Sequence, residues 1–176
     1  MTMALWIPAL AWSIVTANGP ERACTFPSAI SRCDAPTGSA TVEWRPPAGS
    51  HRHELFLRVR SSAQPVPIHK FGRSVDVLWS PDGRALAITD HAESTDSTLW
   101  VVKLDAPDHP SNVESAFKAT FGAVPDIYRS GHRYFKATAW RSPSVLEFAI
   151  TAHDAALNRE YKAHFLYRKD GTVQRR

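Results

Sequence analysis

The residues from Val77 to Leu104 read VLWSPDGRALAITDHAESTDSTLWVVKL, and they are the most informative part of the sequence. Two apolar runs flank a turn in which proline presets φ, aspartate hydrogen-bonds nearby backbone and glycine supplies a positive φ. A polar loop then leads into a third apolar run. The stretch predicts three strands and one tight turn, and its turn residues are structural: Trp79, Ser80, Pro81, Asp82 and Gly83.

From Thr41 onward the chain repeats this pattern of short apolar or alternating runs separated by Pro, Gly, Asp and Ser. Such punctuation is typical of antiparallel strands joined by turns. We therefore predict an all-β fold, with strands over residues 40–44, 54–60, 67–71, 75–79, 85–90, 98–104, 134–141, 145–152, 161–167 and 172–174.

One segment, SNVESAFKATF at residues 111–121, has a different period. Val113 and Phe117 recur at helical spacing, and Ser111 with Glu114 three positions later has the form of a capping box. The pattern predicts one short helix inserted into the β fold.

The sequence contains a weak internal repeat that is marked by three tryptophans. A break that contains proline follows each of Trp44, Trp79 and Trp140. In the same order, a strand-like run resembles the last strand of a unit at residues 54–60, 98–104 and 161–169. Repeats of about 40 residues indicate stacked β sheets. We predict a single β domain over residues 40–176 with about three related units.

The residues WSPDG at 79–83, LAI at 86–88 and LWVV at 99–102 resemble one blade of the TolB-type and dipeptidyl-peptidase-type β-propellers. The resemblance implies antiparallel, blade-like sheets of a WD-like repeat, with Trp79 packed between neighbouring sheets. Closed propellers have four to eight blades, and this chain holds about three. A stack of antiparallel sheets, a sandwich of blade-like hairpins and a ring completed by a homo-oligomer remain open.

The N-terminal residues are largely apolar from Met3 to Ala17 and end in small residues suited to signal-peptidase cleavage. We predict a signal peptide over residues 1–17 and a periplasmic or secreted protein. A buried N-terminal strand or helix in a cytoplasmic protein is the alternative. The apolar stretch is shorter than the roughly twenty residues of a membrane span, so we predict no stable membrane anchor.

The two cysteines, Cys24 and Cys33, fall within the segment 18–39 that follows the predicted cleavage site. An even number of cysteines in an exported chain favours a disulfide, which agrees with export. Two free thiols in a cytoplasmic protein, or a metal pair, are the alternatives. A zinc site would need two further ligands at suitable spacing, and none stands nearby.

The charge of the chain, +4, is modest and dispersed. Proteins that bind nucleic acid usually concentrate basic residues along one face, whereas here these residues are spread in ones and twos. We predict a solvated surface of ordinary basicity and no nucleic-acid partner.

The densest histidine group is His51 and His53, next to Glu54. Histidines two positions apart point the same way on an extended chain, so a metal could use them. A solvated loop after two prolines is the competing interpretation. A small metal-dependent or hydrolytic enzyme using this region is therefore the alternative function.

Other catalytic patterns are missing from the sequence. The acidic run DHAESTD at residues 90–96 lacks the regular ligand spacing of an EF-hand loop and is typical of a polar hairpin loop. The chain contains no G-x-S-x-G nucleophile elbow and no Gly-rich phosphate loop. We predict no catalytic residue, no metal and no cofactor.

A non-catalytic protein-binding module of the cell envelope is the function that the sequence favours, as an inhibitor, an immunity protein or an accessory subunit. Loops and unpaired strand edges would bind the partner protein. The candidate surface is the loop after Trp44 and two further loops whose residues include His91, Glu93, Asp96, Asp126, Tyr128, Arg129 and His132.

Overall fold

The structure is a computed structural model that describes residues 23–46, 49, 51–122, 132–154 and 158–176. The predicted signal peptide over residues 1–17 lies outside the described residues. So do three residues predicted to contact a partner, Asp126, Tyr128 and Arg129. Among the described residues, no helix has the length and apolar character needed to cross a membrane.

Three antiparallel sheets form the fold. The middle sheet begins with β1 (Ala23–Phe26). The first sheet follows, with β2 (Arg32–Asp34), β3 (Ala40–Arg45), β4 (His53–Val59) and β5 (Val66–Phe71). The middle sheet then continues with β6 (Val75–Trp79), β7 (Ala85–Asp90), β8 (Asp96–Lys103) and β9 (Ala106–Asn112). The third sheet contains β10 (His132–Ser142), β11 (Val145–Asp154), β12 (Arg159–Arg168) and β13 (Val173–Arg175).

Over the described residues, the predicted all-β class with one inserted short helix is confirmed. All ten predicted strands are present, and the first sheet pairs in the order β2-β3-β4-β5. One contact departs from the antiparallel prediction. A short parallel pairing of Arg133 with Asp96 and of Tyr134 with Ser97 joins β10 to β8, so the middle and third sheets are continuous there.

The middle sheet is buried on both faces because its strands alternate between two apolar cores. Val77 and Trp79 pack in the core against the first sheet, while Leu78 packs in the core against the third sheet. Every residue of β7 is buried, which explains the apolar run from Ala85 to Ile88. The described strands therefore form an open stack of three sheets, with the first and third sheets on opposite sides of the middle one.

The inserted helix α1 (Val113–Phe121) closes the core between the middle and third sheets. Val113 and Phe117 are buried in that core, and the Phe117 ring meets Phe165 edge to face. The predicted capping box is wrong. Asn112 caps the helix by accepting a hydrogen bond from the Ser115 backbone N–H at 2.8 Å, since β9 continues through Ser111.

Two tryptophans tie neighbouring sheets together. Trp79 is fully buried and donates from Nε1 to the Cys33 carbonyl of the first sheet at 3.2 Å. Trp140 of the third sheet donates to the Leu78 carbonyl of the middle sheet at 3.1 Å. Trp44 instead donates to His53 within its own sheet. The prediction that residues 54–60, 98–104 and 161–169 end their units is wrong, because β5, β9 and β13 pair beyond them.

The SPDG turn between β6 and β7 has the predicted chemistry. Asp82 Oδ1 accepts from the Ser80 hydroxyl at 2.6 Å and from the Arg84 backbone N–H at 3.1 Å. Gly83 has a φ of +64°, and a Cβ there would lie 2.5 Å from the Thr37 hydroxyl of the first sheet. Glycine is therefore required both by its backbone conformation and by the contact between the two sheets.

A disulfide joins Cys24 on β1 to Cys33 on β2. These strands belong to different sheets, so the bond ties the middle sheet to the first. A loop of this size stabilises the folded chain by about 2 to 3 kcal/mol through its effect on the unfolded state.

Candidate protein-binding surface

The loop at residues 91–95, between β7 and β8, is fastened to the start of β10. We call it the corner loop. The Arg133 backbone N–H donates to the Thr95 carbonyl at 2.8 Å, and the Tyr134 hydroxyl donates to the Ser94 carbonyl at 2.6 Å. These bonds hold an exposed polar loop in one position.

Ion pairs beneath the corner loop reinforce this arrangement. Arg133 lies 3.1 Å from Asp96 and 2.9 Å from Glu114 of α1. The hydrogen bond with Asp96, together with the charge of Glu114, raises the pKa of the Arg133 guanidinium despite its partial burial. Lys118 adds a second cation to Glu114 at 2.7 Å. One side chain, Arg133, thus connects β8, β10 and the helix.

His91 at the start of the corner loop is held by Asp76 of β6. His91 Nε2 lies 3.0 Å from Asp76 Oδ2, and the Thr25 hydroxyl donates to Asp76 Oδ1 at 2.7 Å. Burial alone would raise the pKa of Asp76, but the hydrogen bonds from His91 and Thr25 outweigh it and lower that pKa. Lys136 is a more distant partner, at 3.8 Å.

The structure therefore brings together four of the residues predicted to contact a partner. His91 and Glu93 lie in the corner loop, Asp96 begins β8, and His132 begins β10 beside Tyr134 at 3.0 Å. Glu93 is exposed. The loop after Trp44 is described only in part and belongs to the first sheet.

The acidic side chains of residues 90–96 do not converge on one point. Asp90 Oδ2 lies 2.7 Å from His69 Nε2, Asp96 pairs with Arg133, and Glu93 is exposed to solvent. Within the described ranges, no group of three or more His, Cys, Asp and Glu side chains could hold a metal ion.

The two histidines of the alternative hypothesis lie in different surroundings. His53 begins β4, where its Nδ1 accepts a hydrogen bond from Trp44 at 3.3 Å and its ring packs 5.1 Å from that of Phe71. His51 precedes the strand and is exposed. The expectation that both point the same way required an extended strand through His51, and β4 starts two residues too late for it.

Next to the corner, a groove runs over the outer face of the third sheet, with a volume of about 340 Å³. We call it the outer groove. Its floor is formed by Ala149 and Thr151 of β11, and β10 and β12 form its walls. The corner loop closes one side of the groove. The lining residues are His91, Ser97, Tyr134, Lys136, Thr138, Ala149, Thr151, Lys162 and His164.

Sequence reasoning did not identify this groove. The alternation in LEFAITAH places small side chains on the outer face of β11, and this was the available signal. The floor becomes visible only when the register sets Ala149 between Lys136 and His164.

Beyond the groove on the same face, Glu147 is buried among cations. Its side chain is 2% exposed and pairs with Arg141 and Arg176, and His164 Nδ1 lies 3.3 Å away. Burial alone would raise the pKa of Glu147, but the hydrogen bonds from Arg141 and Arg176 outweigh it and lower the pKa below its ordinary value. The carboxylate is therefore neutralised by its neighbours.

We expect Glu147→Gln to reduce the acid sensitivity of the fold. A carboxyl group whose pKa is lowered by folding stabilises the protein above its unfolded pKa of about 4.3, and this stabilisation is lost as the pH falls through the folded value. The variant should be about 1 to 2 kcal/mol less stable at neutral pH, because charged hydrogen bonds are lost, and the difference should shrink below pH of about 4.

Urea denaturation at a series of pH values measures this effect. Glu160→Gln on the neighbouring strand is the control, because Glu160 is 87% exposed and should leave the profile unchanged. Equal profiles for Glu147→Gln and the unmodified protein would contradict the assignment.

Comparison with known proteins gives a structural likeness. Neither a protein-family model nor a curated protein matches the chain. Among solved structures, the chain is similar to TolB from Acinetobacter baumannii, with 14% sequence identity and a TM-score of 0.42 over 83% of this chain. The match covers 31% of the TolB chain, so this chain spans about a third of the length of that protein.

Proposed function

We propose that the protein is a non-catalytic protein-binding module of the cell envelope, acting as an inhibitor, an immunity protein or an accessory subunit. The observation that carries the proposal is the fastened corner loop. The Ser94 and Thr95 carbonyls of this loop accept hydrogen bonds from β10. Glu93, in the same loop, is exposed.

A fixed, exposed loop is suited to recognition because it loses little conformational entropy on binding. The bonds that fix the loop come from Arg133 and Tyr134, which are distant in sequence. These long-range hydrogen bonds therefore fix a segment that does not contribute to either apolar core. We infer that the corner loop and the adjoining outer groove form one binding surface.

The envelope location is supported by the disulfide between Cys24 and Cys33, since such bonds persist in oxidising compartments. It accords with the predicted signal peptide over residues 1–17. The mass of the protein isolated from its host tests this point. We expect a chain shortened at the N-terminus and a mass that shows no free thiol.

Photo-crosslinking in the native host tests the binding function. A photoreactive amino acid at Glu93 should give a defined protein adduct on irradiation, because that side chain is exposed on the fastened loop. The matched control carries the same amino acid at Asp170, an exposed turn position between β12 and β13. Adducts at neither site, or equal adducts at both, would contradict the proposal.

Metal analysis of the purified protein separates this function from the enzyme alternative. A pure binding module should contain no stoichiometric metal. Zinc or copper at one equivalent, lost on replacing His51 and His53, would overturn the non-catalytic proposal in favour of a metal-dependent enzyme.

A further inference from the structure

The outer groove has the dimensions of a single extended chain. Neighbouring strands lie about 4.8 Å apart, so the walls on β10 and β12 stand about 10 Å from each other across β11. Residues two apart along a strand are separated by about 6.7 Å, in the groove and in an extended ligand alike. The register creates two cross-strand rows: Tyr134, Thr151 and Lys162, then Lys136, Ala149 and His164.

The floor and walls differ in chemistry. Ala149 and Thr151 offer methyl groups between the walls, so small apolar side chains of a ligand can be buried there. The wall at Tyr134 is rigid because its hydroxyl is bonded to Ser94. Lys136 and Lys162 line the groove from its two walls and are exposed, as is common for lysines whose stems lie beside apolar surface and whose ammonium groups remain in water.

The charge of the groove is positive. Lys136 is 59% exposed and its nearest carboxylate, Asp76, is 3.8 Å away and already bonded by His91 and Thr25. Lys162 is exposed and makes no salt bridge with another described residue. The carboxylate of Glu147 is buried and neutralised, and that of Glu160 lies one row beyond the groove.

We propose that the outer groove binds an extended, acidic segment of the partner protein, laid along β11. This proposal rests on the proposed function and specifies the partner. Alternate residues of the segment are apolar and face Ala149 and Thr151, while the intervening acidic residues pair with Lys136 and Lys162 at the rim. A nucleic acid fits less well, because a methyl-lined floor offers no stacking surface and two lysines follow only a short length of backbone.

Binding of a labelled peptide measured by fluorescence anisotropy tests the proposal. The probe is a peptide in which glutamate alternates with valine, studied at low salt. Lys136→Glu and Lys162→Glu should each weaken binding by about tenfold or more, because charge reversal at the rim repels the ligand. Thr151→Trp should abolish binding without any change of charge, because it fills the floor. Thermal unfolding of each variant verifies that it is folded.

Lys70→Glu is the matched control, since Lys70 is 62% exposed on the first sheet and the substitution changes the net charge by the same amount. It should leave the affinity within about twofold. A lysine–valine peptide should not bind. Equal binding of both peptides, tighter binding of a single-stranded oligonucleotide, or equal loss in Lys70→Glu and Lys162→Glu would overturn the proposal.

The outcome is separable from that of the proposed function. If the acidic peptide does not bind while crosslinking at Glu93 still yields an adduct, the groove is not the binding site but the protein remains a binding module. If the peptide binds through Lys136 and Lys162 and no adduct forms at Glu93, the groove assignment stands and the corner loop fails.

Discussion

Replacing Trp79 by alanine should lower the free energy of unfolding by about 3 to 5 kcal/mol, a large part of the about 5 to 15 kcal/mol that keeps an ordinary domain folded. Trp79 is fully buried between the first and middle sheets. The substitution leaves a large cavity there. It also leaves the Cys33 carbonyl, which accepts from Trp79 Nε1 at 3.2 Å, without that donor. Urea denaturation followed by circular dichroism measures the loss.

Two further variants make the prediction decisive. Trp79→Phe keeps most of the ring volume and removes the hydrogen bond, so it should cost about 1 to 3 kcal/mol and remain folded even if the alanine variant does not. Trp44→Ala is the matched control, because Trp44 packs at the partly exposed end of the same core and bonds within its own sheet. It should cost clearly less than Trp79→Ala. Equal losses at Trp44 and Trp79 would show that Trp79 does not tie the sheets.

The strands around this tryptophan could be predicted accurately because local chemistry defines them. Residues 75–79 and 85–90 agree with β6 and β7 at both ends. The turn between them is specified by Ser80, Asp82 and Gly83, whose bonds lie within the turn. Elsewhere at least one end of each predicted strand differs by one or two residues, because no comparable turn marks it.

Three strands could not be predicted because strand pairing, rather than their own residue pattern, makes them extended. β9 reads APDHPSN, and its two prolines and its aspartate disfavour a strand. It is extended because it pairs with β8 at the edge of the middle sheet. β1 and β2 are short and pair with β6 and β3, so their conformation is set by strand pairing rather than by their own pattern.

The candidate surface also has a part that the local sequence predicts and a part that it does not. Loop positions such as His91 and Glu93 could be predicted from the polar run between two apolar strands. The groove could not, because Lys136, Ala149 and His164 come from three strands and meet only through the register of the third sheet. The corner likewise depends on the parallel contact of β8 with β10, which no local pattern encodes.

Substituting His69 by leucine should destabilise the protein by about 3 kcal/mol, because it leaves a buried carboxylate without its partner. His69 Nε2 on β5 lies 2.7 Å from Asp90 Oδ2 at the end of β7, and both side chains are largely buried between the first and middle sheets. Asp90 Oδ1 is buried and has no hydrogen-bond partner among the described residues. With leucine at position 69, Asp90 Oδ2 would also lose its hydrogen-bond partner.

The double variant His69→Leu/Asp90→Leu separates the cost of an unpaired charge from the loss of a useful contact. Replacing both members of a buried pair by apolar residues is often neutral, so the double variant should lie within about 1 kcal/mol of the unmodified protein and be more stable than His69→Leu alone. Denaturation of all four proteins in the cycle gives the coupling energy. If the double variant is as unstable as the sum of the single variants, Asp90 and His69 act independently, and the pair does not link the two sheets. If it recovers, the buried carboxyl group of Asp90 is what makes His69 necessary, and the hydrogen-bonded pair contributes specificity to the stacking of the sheets rather than net stability.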